Sequence, residues 1–432
     1  MNPLLTLALA SLSAQSMFTS AERDRVLAAW RTPGRYTVQV PKGHLQEGLW
    51  QPRLTVEGST WFLNYNRARG LRTPPTQIPG PQNEEERIWE EWLEKKVAYD
   101  QARAALRAQL LNASVLGSRA DNLPEPVWPG PPPPGLIALA GNPPDFAEAV
   151  VPLQHTVRFE DGLEVSYQDN VRMRPRYAYY RFAQGAMSAG TPVRSLPSST
   201  LDRLFQLAGA SPFEAKVMRA VSNLEGGFDS INTYDTGFVS VGFIQFATLK
   251  DGANSLGAML LDHKQASPAA FDADFRSFGI DVSPLGVLVV LDLETGVELT
   301  GADAVQQVIR DKRLIAVFQR AGLKSELYNA AQIRTAKRLF YPGDDPVSVT
   351  IAGRTLAGKI KDIVKSEAGM ATLMDRKVNT GRLDPLPKVL AEIAEQRKIS
   401  FFLDLAKYER EIIEKMRYRK DYLADPQLSK PK

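Results

Sequence analysis

The stretch Ser211-Pro212-Phe213-Glu214-Ala215-Lys216-Val217-Met218-Arg219-Ala220-Val221-Ser222-Asn223-Leu224-Glu225-Gly226-Gly227-Phe228 decides how the rest of the chain is read. Ser211 offers a capping hydroxyl. Pro212 suits the first helical position, where no amide N–H is needed, and Glu214 stands where a capping box returns the bond. Phe213, Val217, Ala220, Val221 and Leu224 recur at helical spacing, so one face enters a core, and Gly226-Gly227 ends the helix. Glu225 therefore sits at the end of a mostly buried helix.

A carboxyl group in that place faces carbonyl oxygens and the negative end of the helix dipole, while apolar neighbours desolvate its charged form. Both effects favour the protonated acid. The expectation is a raised pKa and proton donation to a leaving oxygen; the plainer alternative is a Glu that caps a loop or pairs with an arginine. From Phe228 to Gln245 the chain reads FDSINTYDTGFVSVGFIQ. This suggests a polar loop, one strand of a small hairpin over Gly237–Phe243, and an apolar helix around Ile244-Gln245-Phe246. Gly242 fits either a turn or a close approach by a sugar or by the Glu225 helix.

The block Ser222-Asn223-Leu224-Glu225-Gly226-Gly227-Phe228, followed by Gly242-Phe243-Ile244-Gln245, resembles the core of the lysozyme-like superfamily, above all soluble lytic transglycosylases and goose-type lysozymes. The resemblance implies an α+β fold: a mostly helical lysozyme-like domain with a small hairpin, preceded by a small mixed α/β module. It implies Glu225 as general acid toward a glycosidic oxygen, Ser240 as a polar residue beside the cleft and Gln245 as a shaper of substrate contact. Chitosanases of the same superfamily add a hairpin Asp, for which Asp235 and Asp229 compete; the helix through Ala331-Gln332-Ile333 is faintly similar to theirs. Asn232 and Thr233 are candidate hydrogen bonders. Tyr234, Phe238 and Phe243 stack on sugar faces or simply pack.

Three mechanisms stay open: an inverting hydrolase with Asp235 or Asp229 activating water, a retaining hydrolase with a closer nucleophile, and a lytic transglycosylase cycling Glu225 alone. The implied partner is peptidoglycan or a related amino-sugar polymer. A catalytically inactive wall-binding protein of an envelope or phage-tail-like assembly is the alternative from another class.

Composition narrows the field. The chain has 432 residues, enough for two or three units at roughly 150 residues each, and its 24% charged and 44% apolar content fits a folded protein. With 53 Lys plus Arg against 49 Asp plus Glu, the net charge of +4 demands no nucleic-acid partner. The absence of cysteine excludes disulfides, thiolate metal sites and a Cys nucleophile. His44, His155 and His263 are too far apart for a local metal motif, so neither metal nor cofactor is expected. No apolar run reaches the roughly 18 residues of a membrane span.

The expected organisation is a mixed module over 1–123, a proline-rich linker over 124–135, the lysozyme-like domain over 136–384 and a helical extension over 385–432. Residues 1–16 read as an amphipathic helix or a weak secretory signal, which leaves cell-envelope, extracellular and cytoplasmic locations open. A helix follows Thr19, strands are expected over Tyr36–Val40 and Thr60–Tyr65, and a long helix follows Asn83, with Trp89 and Trp92 packing along it. A hairpin turns at Glu160-Asp161-Gly162. His263 reads as an edge or solvated side chain, the Arg417-Tyr418-Arg419-Lys420 run as a charged helix end, and the final residues as frayed.

Overall fold

The computed structural model describes residues 16–40, 48–71, 77–117, 125–351 and 353–432; the first fifteen residues, His44, Pro74 and Pro75 lie outside them. Several helices start where capping chemistry puts them. Thr19 and Glu22 cap each other reciprocally to open Ser20–Trp30, Ser211 and Glu214 do the same for Pro212–Ser222, and Asn83 caps the long helix Glu84–Leu116.

A smaller core gathers Trp61, Phe62 and Tyr65 against Trp89, Trp92 and Leu93 of the long helix and Phe146. Thr60–Tyr65, expected as a strand, lies inside the helix Val56–Ala68 instead. Thr55 caps that helix through the Gly58 N–H, and Trp61 then stacks on Tyr65 one turn later at 5.2 Å. Aromatic residues fit either periodicity, and the cap decides between them. The proline-rich segment lies along the long helix: Trp92 Nε1–H donates to Gly130 O at 3.2 Å, and Trp128 meets Tyr99 edge-on at 5.1 Å.

The larger core draws on both ends of the chain, from Phe18, Val26 and Trp30 to Ile412, Met416 and Tyr422. Tyr36–Gln39 pairs with Gln154–Arg158, which pairs with Glu164–Gln168 through the expected hairpin; Gln51–Leu54 pairs with Ala147–Val150. These ladders join residues before 123 to residues after 136, so the proline-rich segment does not separate two independent cores. The extension after 385 is equally integrated. Its helices Pro385–Gln396 and Glu409–Met416 bury Leu390, Ile393 and Ile412, and the tail expected to fray is docked, with Ser429 N–H donating to Glu367 at 2.8 Å.

The architecture is mixed, with many helices and several small antiparallel sheets. One sheet, formed by Ile280–Val282, Leu288–Leu291 and Glu298–Thr300, lies outside every sequence-based expectation. Its central strand is buried along its whole length, so it shows a continuous apolar run and no alternation. His263 is fully buried, contrary to the solvated expectation. It lies on the helix Asn254–Ala266 with Nε2 3.0 Å from Asp274 Oδ2, enclosed by Phe271, Phe275 and Tyr328.

Candidate active site

The helix Pro212–Ser222 ends three residues before Glu225, and one further turn carries the chain on, with the Glu225 and Gly226 N–H groups donating to Ser222 O at 3.0 and 3.1 Å. Gly226, at φ +140, then redirects the backbone where a Cβ would stand 2.7 Å from the Ser230 side chain. Glu225 is left largely enclosed, its side chain 11% exposed.

Its partner comes from the far end of the sequence. Arg419 Nη2 donates to Glu225 Oε1, and the same guanidinium donates to Asp375 Oδ1 through Nη2 and, at 3.0 Å, through Nε. Asp375 sits on the helix Glu367–Thr380 and is 1% exposed. Two carboxylates thus share one cation in a buried place, where leaving a net negative charge is costly. Asp375 takes two of the guanidinium contacts and Glu225 one. Burial pushes the Glu225 carboxyl above its usual range and Asp375 adds to this, while Arg419 and a hydrogen bond from Asn379 pull it back. Nothing local to Glu225 signals this arrangement in the sequence, since Arg419 lies 194 residues away and reads as an ordinary helix-end charge.

Asp235 is held quite differently. It lies between Ile231–Asn232 and Ser240–Val241, two strands of a four-stranded sheet completed by Met187–Ser188 and Phe246–Ala247. Oδ2 accepts from Asn232 Nδ2 at 2.7 Å and Oδ1 from the Gly237 N–H at 2.8 Å. Burial pushes this carboxyl up too, against those hydrogen bonds and the nearby Arg181.

The segment after Asp235 departs from expectation. The strand is confined to Ser240–Val241, and the helix expected around Ile244-Gln245-Phe246 is a turn leading into the strand Phe246–Ala247. Positive φ angles at Gly242 (81°) and Gln245 (54°) turn the chain back. Gly242 answers a close approach, though not to a ligand: a Cβ there would lie 2.1 Å from Gln332 Oε1. The buried Gln332 accepts from the Phe243 N–H and donates to Phe228 O, tying the helix Glu326–Phe340 to both sides of the site.

The remaining candidates divide by exposure. Asp229 is buried and accepts from Thr191 N–H at 2.7 Å and Thr191 Oγ1 at 3.2 Å, so its carboxylate holds a turn and faces no open space. Thr233 is fully buried against Ala186, and Ser240 and Phe243 are buried as well. Asn232, Tyr234, Phe238 and Gln245 keep partial exposure. Asn232 is spent on Asp235, Phe238 packs on Phe182 at 5.1 Å, and Gln245 Nε2 donates to Ser230 Oγ at 2.7 Å. Among the described residues no group of His, Asp and Glu side chains is arranged to hold a metal ion.

A groove of about 750 Å³ opens where Asn379, which reaches Glu225, meets Tyr179, Arg67 and Tyr418. Tyr179 belongs to the segment that also bears on Asp235, because Tyr180 forms a β-bridge with Asp235 and the Arg181 N–H donates to Tyr234 O at 2.7 Å. A second cavity, of about 680 Å³, lies among Arg53, Val97 and Phe146; neither it nor the groove is lined by Glu225, Asp229, Asp235 or another candidate site residue. Comparison with protein-family models, curated proteins and solved structures finds no match to this chain. The resemblance to lysozyme-like enzymes rests on the residues that carry it.

Proposed function

We propose that the chain cleaves glycosidic bonds in the glycan of peptidoglycan, or in a related amino-sugar polymer, with Glu225 as general acid in a lysozyme-like domain. The supporting observation is a nearly buried carboxyl one turn beyond a helix end, pushed toward its protonated form by burial, with its neighbour Asn379 on the wall of an open groove. Arg419 engages Oε1, which leaves Oε2 as the oxygen that the guanidinium does not hold. As the C–O bond breaks, the bonding electrons leave with the bridging oxygen, Glu225 supplies its proton, and positive charge grows on the sugar ring.

The fate of that charge depends on a second group. Asp235, partly exposed where Asp229 is buried, is the candidate to activate water in an inverting hydrolysis. In a lytic transglycosylase the Glu225 carboxylate takes the proton of the muramic 6-hydroxyl as that oxygen closes on the ring. The arginines of the groove disfavour a chitosanase, whose polycationic substrate they repel.

Digestion of purified peptidoglycan with mass analysis of soluble products tests the reading. Glu225→Gln lowers release by roughly 10²–10⁴-fold. Wild-type rate falls as pH rises through the raised Glu225 pKa, since only the protonated acid works. A 1,6-anhydro end identifies transglycosylation and a reducing end hydrolysis. Equal release by Glu225→Gln rejects Glu225 as the acid. The Arg419 contact favours one second reading, a wall-binding protein of an envelope or phage-tail-like assembly in which Glu225 is structural. That protein sediments with peptidoglycan and releases nothing.

A further inference from the structure

The cavity of about 680 Å³ shares no lining residue with the Glu225 cluster or with the groove beside it. Its walls are the long helix Glu84–Leu116, the paired strands Gln51–Leu54 and Ala147–Val150, and the segment 172–175. Val97, Gln101 and Ala105 recur every fourth residue and so line up along one face of the helix, with Ala102 beside them. Two of these four positions are alanine, and their short side chains leave room that Leu54, Phe146 and Met173 do not fill. A space of this size suits a small molecule.

The lining is apolar except for Gln101 and three arginines, and it holds no carboxylate. Arg174 is engaged elsewhere, donating to Gln77 O at 3.5 Å. Arg53 is half-buried and fixed by neutral acceptors: Nε donates to Asn170 O at 2.8 Å, Nη1 to Pro52 O at 3.0 Å and Nη2 to Gln51 Oε1 at 2.6 Å. Those bonds hold the guanidinium in place and leave one further N–H on each terminal nitrogen. Glu148 stands opposite Arg53 in the strand ladder, yet it forms no ion pair with Arg53 and does not line the cavity. Arg172 is exposed and has no ion pair among the described residues. Burial pulls the Arg53 pKa down, and the neighbouring charge of Arg172 pulls the same way. Two guanidinium groups thus share an apolar-walled cavity with no acid to offset their repulsion.

We propose that this cavity binds a single-chain amphiphile with an anionic head, a carboxylate or a phosphate, the head pairing with Arg53 and Arg172 and the chain lying along Ala102, Ala105 and Phe146. One anion offsets both cations at once, and the N–H groups left on Arg53 give it charge-assisted hydrogen bonds. The body of the ligand is aliphatic and not a peptide. Gln101 is the one uncharged polar side chain on the wall, and Pro52 takes an N–H away from the adjoining strand, so a peptide backbone enclosed here would keep unsatisfied groups. The site stands whether or not Glu225 cleaves a glycan, since the two have no residue in common.

The test is calorimetric titration of the full-length chain with dodecanoate, dodecyl phosphate and dodecanol, each below the concentration at which it aggregates, and with acetate and inorganic phosphate as heads without a chain. An anionic amphiphile binds once per chain and about tenfold more tightly than dodecanol, while acetate and inorganic phosphate give no heat at the same concentrations. The tighter of dodecanoate and dodecyl phosphate identifies the head. Arg172→Ala, a change at an exposed position, removes the preference over dodecanol, and Ala105→Trp, which fills the cavity from the helix, abolishes binding of all three. Ala102→Phe, on the exposed side of the same wall, serves in its place if circular dichroism shows the tryptophan variant to be unfolded. No saturable binding of either anionic amphiphile, equal affinity for dodecanol, a preference that survives Arg172→Ala, or binding that persists in a folded cavity-filling variant overturns the proposal.

Discussion

Glu225 and Asp235 are both carboxyl groups pushed up by burial, yet one is held across the whole molecule and the other by its own loop. Asp235 takes its hydrogen bonds from residues two and three positions away. Glu225 takes its charged partner from 194 residues away, and shares it with Asp375. The local arrangement fixes a side chain as soon as the loop closes. The distant one exists only when the C-terminal segment has docked, and this makes the state of Glu225 a property of the complete fold.

That contrast breaks most visibly at Arg419. Arg419→Ala leaves the buried Asp375 carboxylate without its cation and Glu225 without its donor, and lowers unfolding free energy by about 3–5 kcal/mol, measured by urea denaturation at neutral pH. Arg419→Lys recovers part of the loss, since an ammonium restores the charge without the forked geometry. An alanine variant as stable as the wild type would show that the tail does not hold the site.

Asp235→Asn sharpens the comparison from the other side. The amide still accepts from the Gly237 N–H but loses the bond from Asn232 Nδ2, which costs about 1–3 kcal/mol. The pH dependence changes more tellingly. A carboxyl with a raised folded pKa contributes stability present below its unfolded value of about 3.9 and lost as pH rises through the folded value. The Asn variant therefore shows a flatter decline over that window, read from denaturation midpoints at successive pH values; an unaltered slope would deny that Asp235 titrates in the folded protein. The smallest effect belongs to the most local feature. Ser211→Ala removes one cap hydrogen bond and costs about 1 kcal/mol in the same denaturation assay, without shifting the pH profile.

The legibility of the site follows the same division. The cap at Ser211, the helix it opens, the turn at Gly226 and the hairpin at Glu160-Asp161-Gly162 are set by neighbours within a few residues, and each is readable as such. Thr60–Tyr65 imitates a strand because its aromatics satisfy two periodicities, and Leu288–Leu291 escapes notice because a strand buried on both faces has no alternation to read. Around Gln245 the expected helix gives way to a turn, since positive φ at a glutamine is imposed by surroundings that no propensity records. Asp229 looks as eligible as Asp235 until Thr191 claims it.

The sequence by itself determined that a capped, half-apolar helix runs toward Glu225, although it stops at Ser222 and leaves Leu224 exposed, because capping and helical periodicity are short-range and act before any distant contact forms. Only the tertiary structure decided that Arg419 and Asp375 meet there, and that Arg67, Arg376 and Arg382 surround a common groove. Burial gives those charges their weight, and burial depends on how distant segments close over one another.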